Sequence, residues 1–95
     1  MLKKLDPLLH SELRLAIMSL LISVEKSEFT YLKEKTEATA GNLSVQLSKL
    51  EEAGYLKIEK AFKGKMPQTT CSITTKGRDA FEQYVEDLKG YLKLK

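Results

Sequence analysis

The chain has 95 residues, 42% of them hydrophobic and 31% charged, with a net charge of +3, which suits one small globular domain and excludes a solenoid. The single Cys71 excludes an internal disulfide, and with only His10 elsewhere it cannot build a metal site of three or four ligands, so no cofactor is expected. The longest near-continuous apolar run, Leu15 to Ile22, is far short of a membrane span, and "MLKKLDPLLH" holds no cleavable apolar segment, so a cytoplasmic chain is expected.

In chain order, "HSELRLAIMSLLISVEK" comes first. It sets Leu13, Ile17, Leu20, Leu21 and Val24 on one helical stripe, with Leu15, Met18 and Ile22 on the opposite side. Ser11 is the expected N-cap, after a turn at Asp6-Pro7. A helix apolar on two sides must be covered on two sides. Either a second copy or the last helix of the same chain supplies the second cover. "SEFTYLKEKTEA" then predicts a very short strand at Phe29 and a two-turn helix capped by Thr30 and holding Leu32. Thr39 is the expected cap of a third helix, whose inward stripe is Leu43, Leu47 and Leu50. Gly54 suits the left-handed position just past its end. Two helices joined by so tight a turn have the size of a helix-turn-helix unit.

The period then changes from helical to two. "YLKIEKAF" predicts a strand with Leu56, Ile58 and Phe62 on one face. "KGKMPQ" reads as a hairpin tip, and "TTCSIT" as a returning strand that makes Cys71 a small core residue. Thr74 caps a last helix over residues 75–93. Phe81, Val85, Leu88 and Leu92 line one stripe of it, widened by Tyr84 and Tyr91. The expected class is therefore α+β, mainly α, in one domain over residues 1–95.

Charge is unevenly placed. From Lys57 to Arg78 there are six basic residues and one acid; from Asp79 to Leu88 there are four acids and no base. A basic block of this kind suggests that one edge of the molecule meets an anion. The outer face of the third helix bears Gly41, Val45 and Ser48, flanked by Asn42 and Lys49. Small side chains allow close approach to a surface. Asn42 offers the donor and acceptor that read an adenine edge, and Val45 suits a thymine methyl. Ser44 suits phosphate or base edges, and Thr39 at the positive helix end suits a backbone phosphate. Lys63, Lys65 and Gln68 on the hairpin could lie along the same duplex. Taken alone, each feature also fits an ordinary solvated surface. No paired carboxylates and no nucleophile with its base are evident, so an enzyme is not expected.

The segments "GNLSVQLSKLEEAGYL", "FKGKMPQTT" and "SITTKGRDAFEQYV", in this order, resemble the small stand-alone winged-helix transcriptional regulators related to the MarR and ArsR types. The resemblance runs from "LDPLLHSELRLAIMSLL" onward. It implies a winged helix-turn-helix fold and a prokaryotic, homodimeric regulator of double-stranded DNA. It also implies a recognition helix over residues 40–53, a wing over residues 63–68, and dimerisation by the terminal helices. Leu15, Met18, Ile22, Phe81, Tyr84, Val85, Leu88, Tyr91 and Leu92 are the expected dimer residues. The chain departs from the pattern at Ala40, where an acid is common, and at Met66 and Gln68, where bases are common. It lacks the cysteine clusters of metal sensors, and a small-molecule effector is not implied. The competing expectation is a winged-helix protein-interaction module that touches no DNA.

Overall fold

The computed structural model describes residues 2–93. Four helices and three strands follow in the order α1 (Glu12–Leu21), β1 (Ser27–Glu28), α2 (Phe29–Thr36), α3 (Ala40–Glu52), β2 (Leu56–Lys63), β3 (Met66–Ile73) and α4 (Thr75–Leu92). The class is the expected α+β, mainly α, with a winged helix-turn-helix order of elements.

Three helices start at side-chain caps that satisfy otherwise orphaned amides. Ser11 accepts from the Arg14 amide, Thr39 from Asn42 and Thr74 from Gly77. Thr30 does not cap α2. The extended cap residue is Glu28, without a side-chain bond, and Phe29 and Thr30 already lie in the helix. The short strand accordingly sits just before Phe29 rather than at it. α1 stops at Leu21, so Val24 falls outside the helix and is exposed, off the stripe that simple periodicity gave it.

The end of α3 is closed by a complete Schellman motif. Gly54 lies at φ 81°, its amide donates to the Glu51 carbonyl, and the Tyr55 amide donates to the Leu50 carbonyl. This closure turns the chain directly into β2. β2 and β3 form an antiparallel ribbon from Leu56 opposite Ile73 to Lys63 opposite Met66. Gly64 begins the two-residue tip with φ 65°, the positive value a type II′ turn needs at that place. Met66, Pro67 and Gln68 are therefore strand residues, not loop. β3 is central in the order β1-β3-β2, yet β1 pairs only with Cys71 and Thr70. Pro67 thus has no ladder partner on that side to disappoint.

The core joins Leu9, Ile17, Met18, Leu21, Leu32, Leu43, Leu47, Leu50, Leu56, Cys71 and Tyr84. Two of the expected dimer residues, Met18 and Tyr84, are not at the surface. Met18 is 0% exposed and Tyr84 4% exposed. Both belong to the interior of the single chain, in the one core to which all four helices and the β2–β3 ribbon contribute. Tyr84 reaches His10 Nδ1 at 3.0 Å, and the Arg78 guanidinium donates to the Ile22 carbonyl at 3.1 Å. Leu15, Ile22, Phe81, Val85, Leu88 and Tyr91 are only half-buried, and Leu92 is exposed.

Gly77 fixes where α4 meets the ribbon. A Cβ there would lie 2.1 Å from the Tyr55 carbonyl oxygen. The same junction holds Thr74, whose amide donates to the Tyr55 carbonyl and whose hydroxyl donates to the Gly54 carbonyl. The turn after α3 and the start of α4 are one packed unit.

Candidate nucleic-acid interface

α3 presents three faces. With Leu43, Leu47 and Leu50 buried, a rotation of about 100° per residue turns Gly41, Val45, Ser48 and Glu52 outward. Gly41 has open space where a Cβ would stand, so no neighbour within the chain requires a glycine there. Val45 is 51% exposed, a large apolar side chain held to solvent on the outermost line of the helix.

Asn42 lies on the flank turned to α1, beside a hollow that also touches Glu12, Leu13, Thr36 and Ala38. Its side-chain oxygen accepts from Gln46 Nε2 at 3.0 Å. The Gln46 oxygen in turn accepts from Arg14 Nη1, while Arg14 Nε donates to the Leu8 carbonyl. This relay holds the Asn42 amide in one orientation, and the residue is exposed, with no hydrogen bond from its NH2 among the described residues. Thr39 Oγ1 accepts from the Asn42 amide at 3.1 Å, which leaves the hydroxyl proton free for an acceptor outside the chain.

On the opposite flank Ser44 faces, and Ser48 borders, a groove of about 440 Å3 between α3 and the sheet. Glu51, Ile58, Lys60 and Thr69 share its walls. Lys60 and Glu51 are part of this surface, although sequence reading assigned neither to it. Lys60 was hidden in the strand's alternation, and Glu51 in the ordinary run of acids ending a helix. On the ribbon, Lys63 and Lys65 are exposed. Gln68 differs from its expected role: it is half-buried and its amide nitrogen donates to the Glu28 carboxylate. That bond ties the ribbon to β1 and spends the group that was to meet a duplex.

A helix with small outward side chains thus stands beside a cationic ribbon in the same chain. The chain matches the family model described as winged helix DNA-binding domain over residues 13–92. It belongs to the winged-helix DNA-binding family. The winged-helix chain is 44% identical over 80 residues to an uncharacterised protein of Methanocaldococcus jannaschii, covering 83% of this chain and 86% of that one. It is similar to a solved transcriptional regulator homologue of Pyrococcus horikoshii, with a TM-score of 0.84 and 29% identity over 92% of this chain and 89% of that chain. The fold is shared with Bacillus subtilis PadR, solved in complex with operator DNA, at TM-score 0.69 and 16% identity over 85% and 58% of the two chains. The resemblance to winged-helix transcriptional regulators holds, and the family is not an enzymatic one.

In winged-helix terms, β2 and β3 are the wing. Among the described residues, the one ion pair joins Lys89 to Glu86 on α4, so the wing lysines have no acid partner there. Their charge is available to an external anion. Two groups nearby are not reactive. Burial pushes the Cys71 thiol up to about 11, with Glu51 adding to the effect, so it stays protonated near neutrality. Burial and the hydrogen bond to Asp6, 2.6 Å away, raise Tyr55 to about 12. Among the described residues, no three His, Cys, Asp or Glu side chains cluster as a metal site, and no helix is long and apolar enough to cross a membrane.

Proposed function

We propose that this winged-helix chain is a sequence-specific regulator of transcription that binds double-stranded DNA as a homodimer in the cytoplasm. Residues 40–53 act as the recognition helix in the major groove, and residues 63–68 lie on the adjacent groove or backbone. The observation that carries the reading is the outward line Gly41, Val45 and Ser48, narrow and uncharged, beside a wing whose lysines pair with no acid among the described residues. A major groove about 12 Å wide admits one helix when its outer side chains are small. Asn42, Val45 and Ser48 read base edges. Thr39, Ser44, Lys49, Lys63 and Lys65 meet phosphate.

In the dimer, two recognition helices enter successive major grooves about 34 Å apart on a near-palindromic site. The half-buried apolar surface around Ile22, Phe81 and Val85 supports α4 as the dimerisation helix over residues 75–93 of a single domain spanning residues 1–95. Selection of bound duplex from a random pool tests the reading, followed by anisotropy titration at several salt concentrations. A shared, near-palindromic motif bound with a steep salt dependence is expected. No enrichment, or binding indifferent to salt, removes the proposal.

Glu51 and Glu52 at the end of α3, with Gln68 committed to Glu28, favour the second reading, a protein-interaction module without DNA contact. Under that reading, replacing Lys63 and Lys65 by Glu leaves partner capture intact.

A further inference from the structure

The wing tip carries side chains that neither the core nor phosphate binding uses. Phe62 is 76% exposed and Met66 71% exposed, among the described residues the most exposed large apolar side chains apart from Leu92. Phe62 lies opposite Pro67 in the ribbon, so two apolar groups share one face of the tip. Side chains alternate along a strand, so this is the face of Leu56, Ile58 and Lys60. Ile58 and Lys60 wall the groove against α3. Phe62 therefore continues, one step beyond Lys60, the face of the wing that looks towards the recognition helix. β1 pairs no further than Thr70; Lys63, Met66 and Pro67 border a hollow shared with Glu28, Phe29 and Thr30, and Phe62 is not among its lining residues. Lys63 and Lys65 flank the tip.

We propose that this tip is an apolar wedge for the DNA minor groove. Phe62, backed by Pro67, enters between two base pairs, Lys63 and Lys65 hold the phosphates on either side, and the duplex bends. The inference rests on the DNA-binding reading above and adds a mode of contact to it. The occupant is the minor groove because the charge around the apolar pair is cationic and the face is shared with the groove beside α3. Apolar wedges at a base step unstack it and kink a duplex by about 20–90°. The favoured step is a flexible pyrimidine–purine one, TA or CA, so the wedge selects sequence through deformability and needs no hydrogen bond to a base.

The chain has no tryptophan, so Phe62→Trp places a single reporter at the tip. The probe is the duplex most enriched from the random pool. Quenching of the tryptophan emission at saturation is expected, together with a bend seen by energy transfer between labelled duplex ends. Phe62→Ala should weaken binding about tenfold, the low end for one stacked aromatic, and lose most of the bend. Lys65→Ala should weaken binding while keeping both quenching and bend. Wild-type affinity and an unchanged bend in Phe62→Ala, or tryptophan emission that does not move at saturation, overturns the wedge and leaves DNA binding standing. A pool that yields no duplex overturns the DNA-binding reading and the wedge with it.

Discussion

Two glycines of this chain have opposite reasons to exist. Gly77 is fixed from within, since a methyl group would collide with the Tyr55 backbone carbonyl, which cannot swing aside. Gly77→Ala should cost about 3 kcal/mol or more, read as a drop in the urea midpoint. Gly41 has no such constraint, and a glycine inside a helix is unfavourable by about 0.5–1 kcal/mol relative to alanine. Gly41→Ala should therefore raise the urea midpoint while weakening DNA binding, if the duplex backbone comes as near as the proposed docking requires. A variant both more stable and bound as tightly as wild type would show that the position is indifferent to DNA. Tyr55 and Cys71 make a prediction about pH. Both groups hold their protons more tightly in the folded chain, at about 12 and about 11, than their ordinary values of 10.0 and 9.0. Their contribution is complete below pH 9 and is lost as pH rises through the folded values, because the unfolded chain releases those protons first. Thermal midpoints measured from pH 8 to 11 should fall, and Tyr55→Phe should flatten the upper part of that fall.

At the scale of elements, α3 and the wing divide the work. Asn42 is held by Gln46, and Gln46 by Arg14 of α1, so the helix-turn-helix packing sets the angle of the amide. Asn42→Ala should cost about 1–3 kcal/mol on the selected site and relax preference at one base pair. The wing lysines act through charge. Lys65→Ala should weaken binding to selected and random duplexes alike and lower the salt slope by about one. Anisotropy titrations of both variants on both duplexes check this division. Equal losses everywhere would mean that the two elements do not differ in role.

The whole molecule is elongated, 56 × 25 × 21 Å, and α4 contributes a surface only partly covered by its own chain. Ile22, Phe81 and Val85 meet there beside Glu82, Glu86 and Lys89. Met18 is no test of association, because it is interior and a charge there would unfold the chain. Val85→Glu is the better probe, since its side chain is half-buried at that surface. Sedimentation should find a dimer for wild type at micromolar concentration and a monomer with native circular dichroism for Val85→Glu. A monomeric wild type would remove the dimer from the proposal and leave each helix to bind a single half-site.

The sequence by itself determined the elements that local chemistry dictates. The caps Ser11, Thr39 and Thr74, the left-handed Gly54, and the change of period from helical to two after Leu56 were all legible, because each depends on residues within a turn or two. The inward stripe of α3, and hence its outward face, was legible for the same reason. Tertiary structure alone decided which side of α1 is covered by its own chain. Periodicity shows that a stripe is apolar but not what lies against it, so Met18 and Tyr84 have the pattern of interface residues although both are interior to the single chain. It also decided that Gln68 bonds to Glu28, forty residues away in sequence, and that Phe62 lies beyond the core although its alternation matches Leu56 and Ile58. Alternation fixes the face of a strand, whereas burial depends on how far the body beneath it extends.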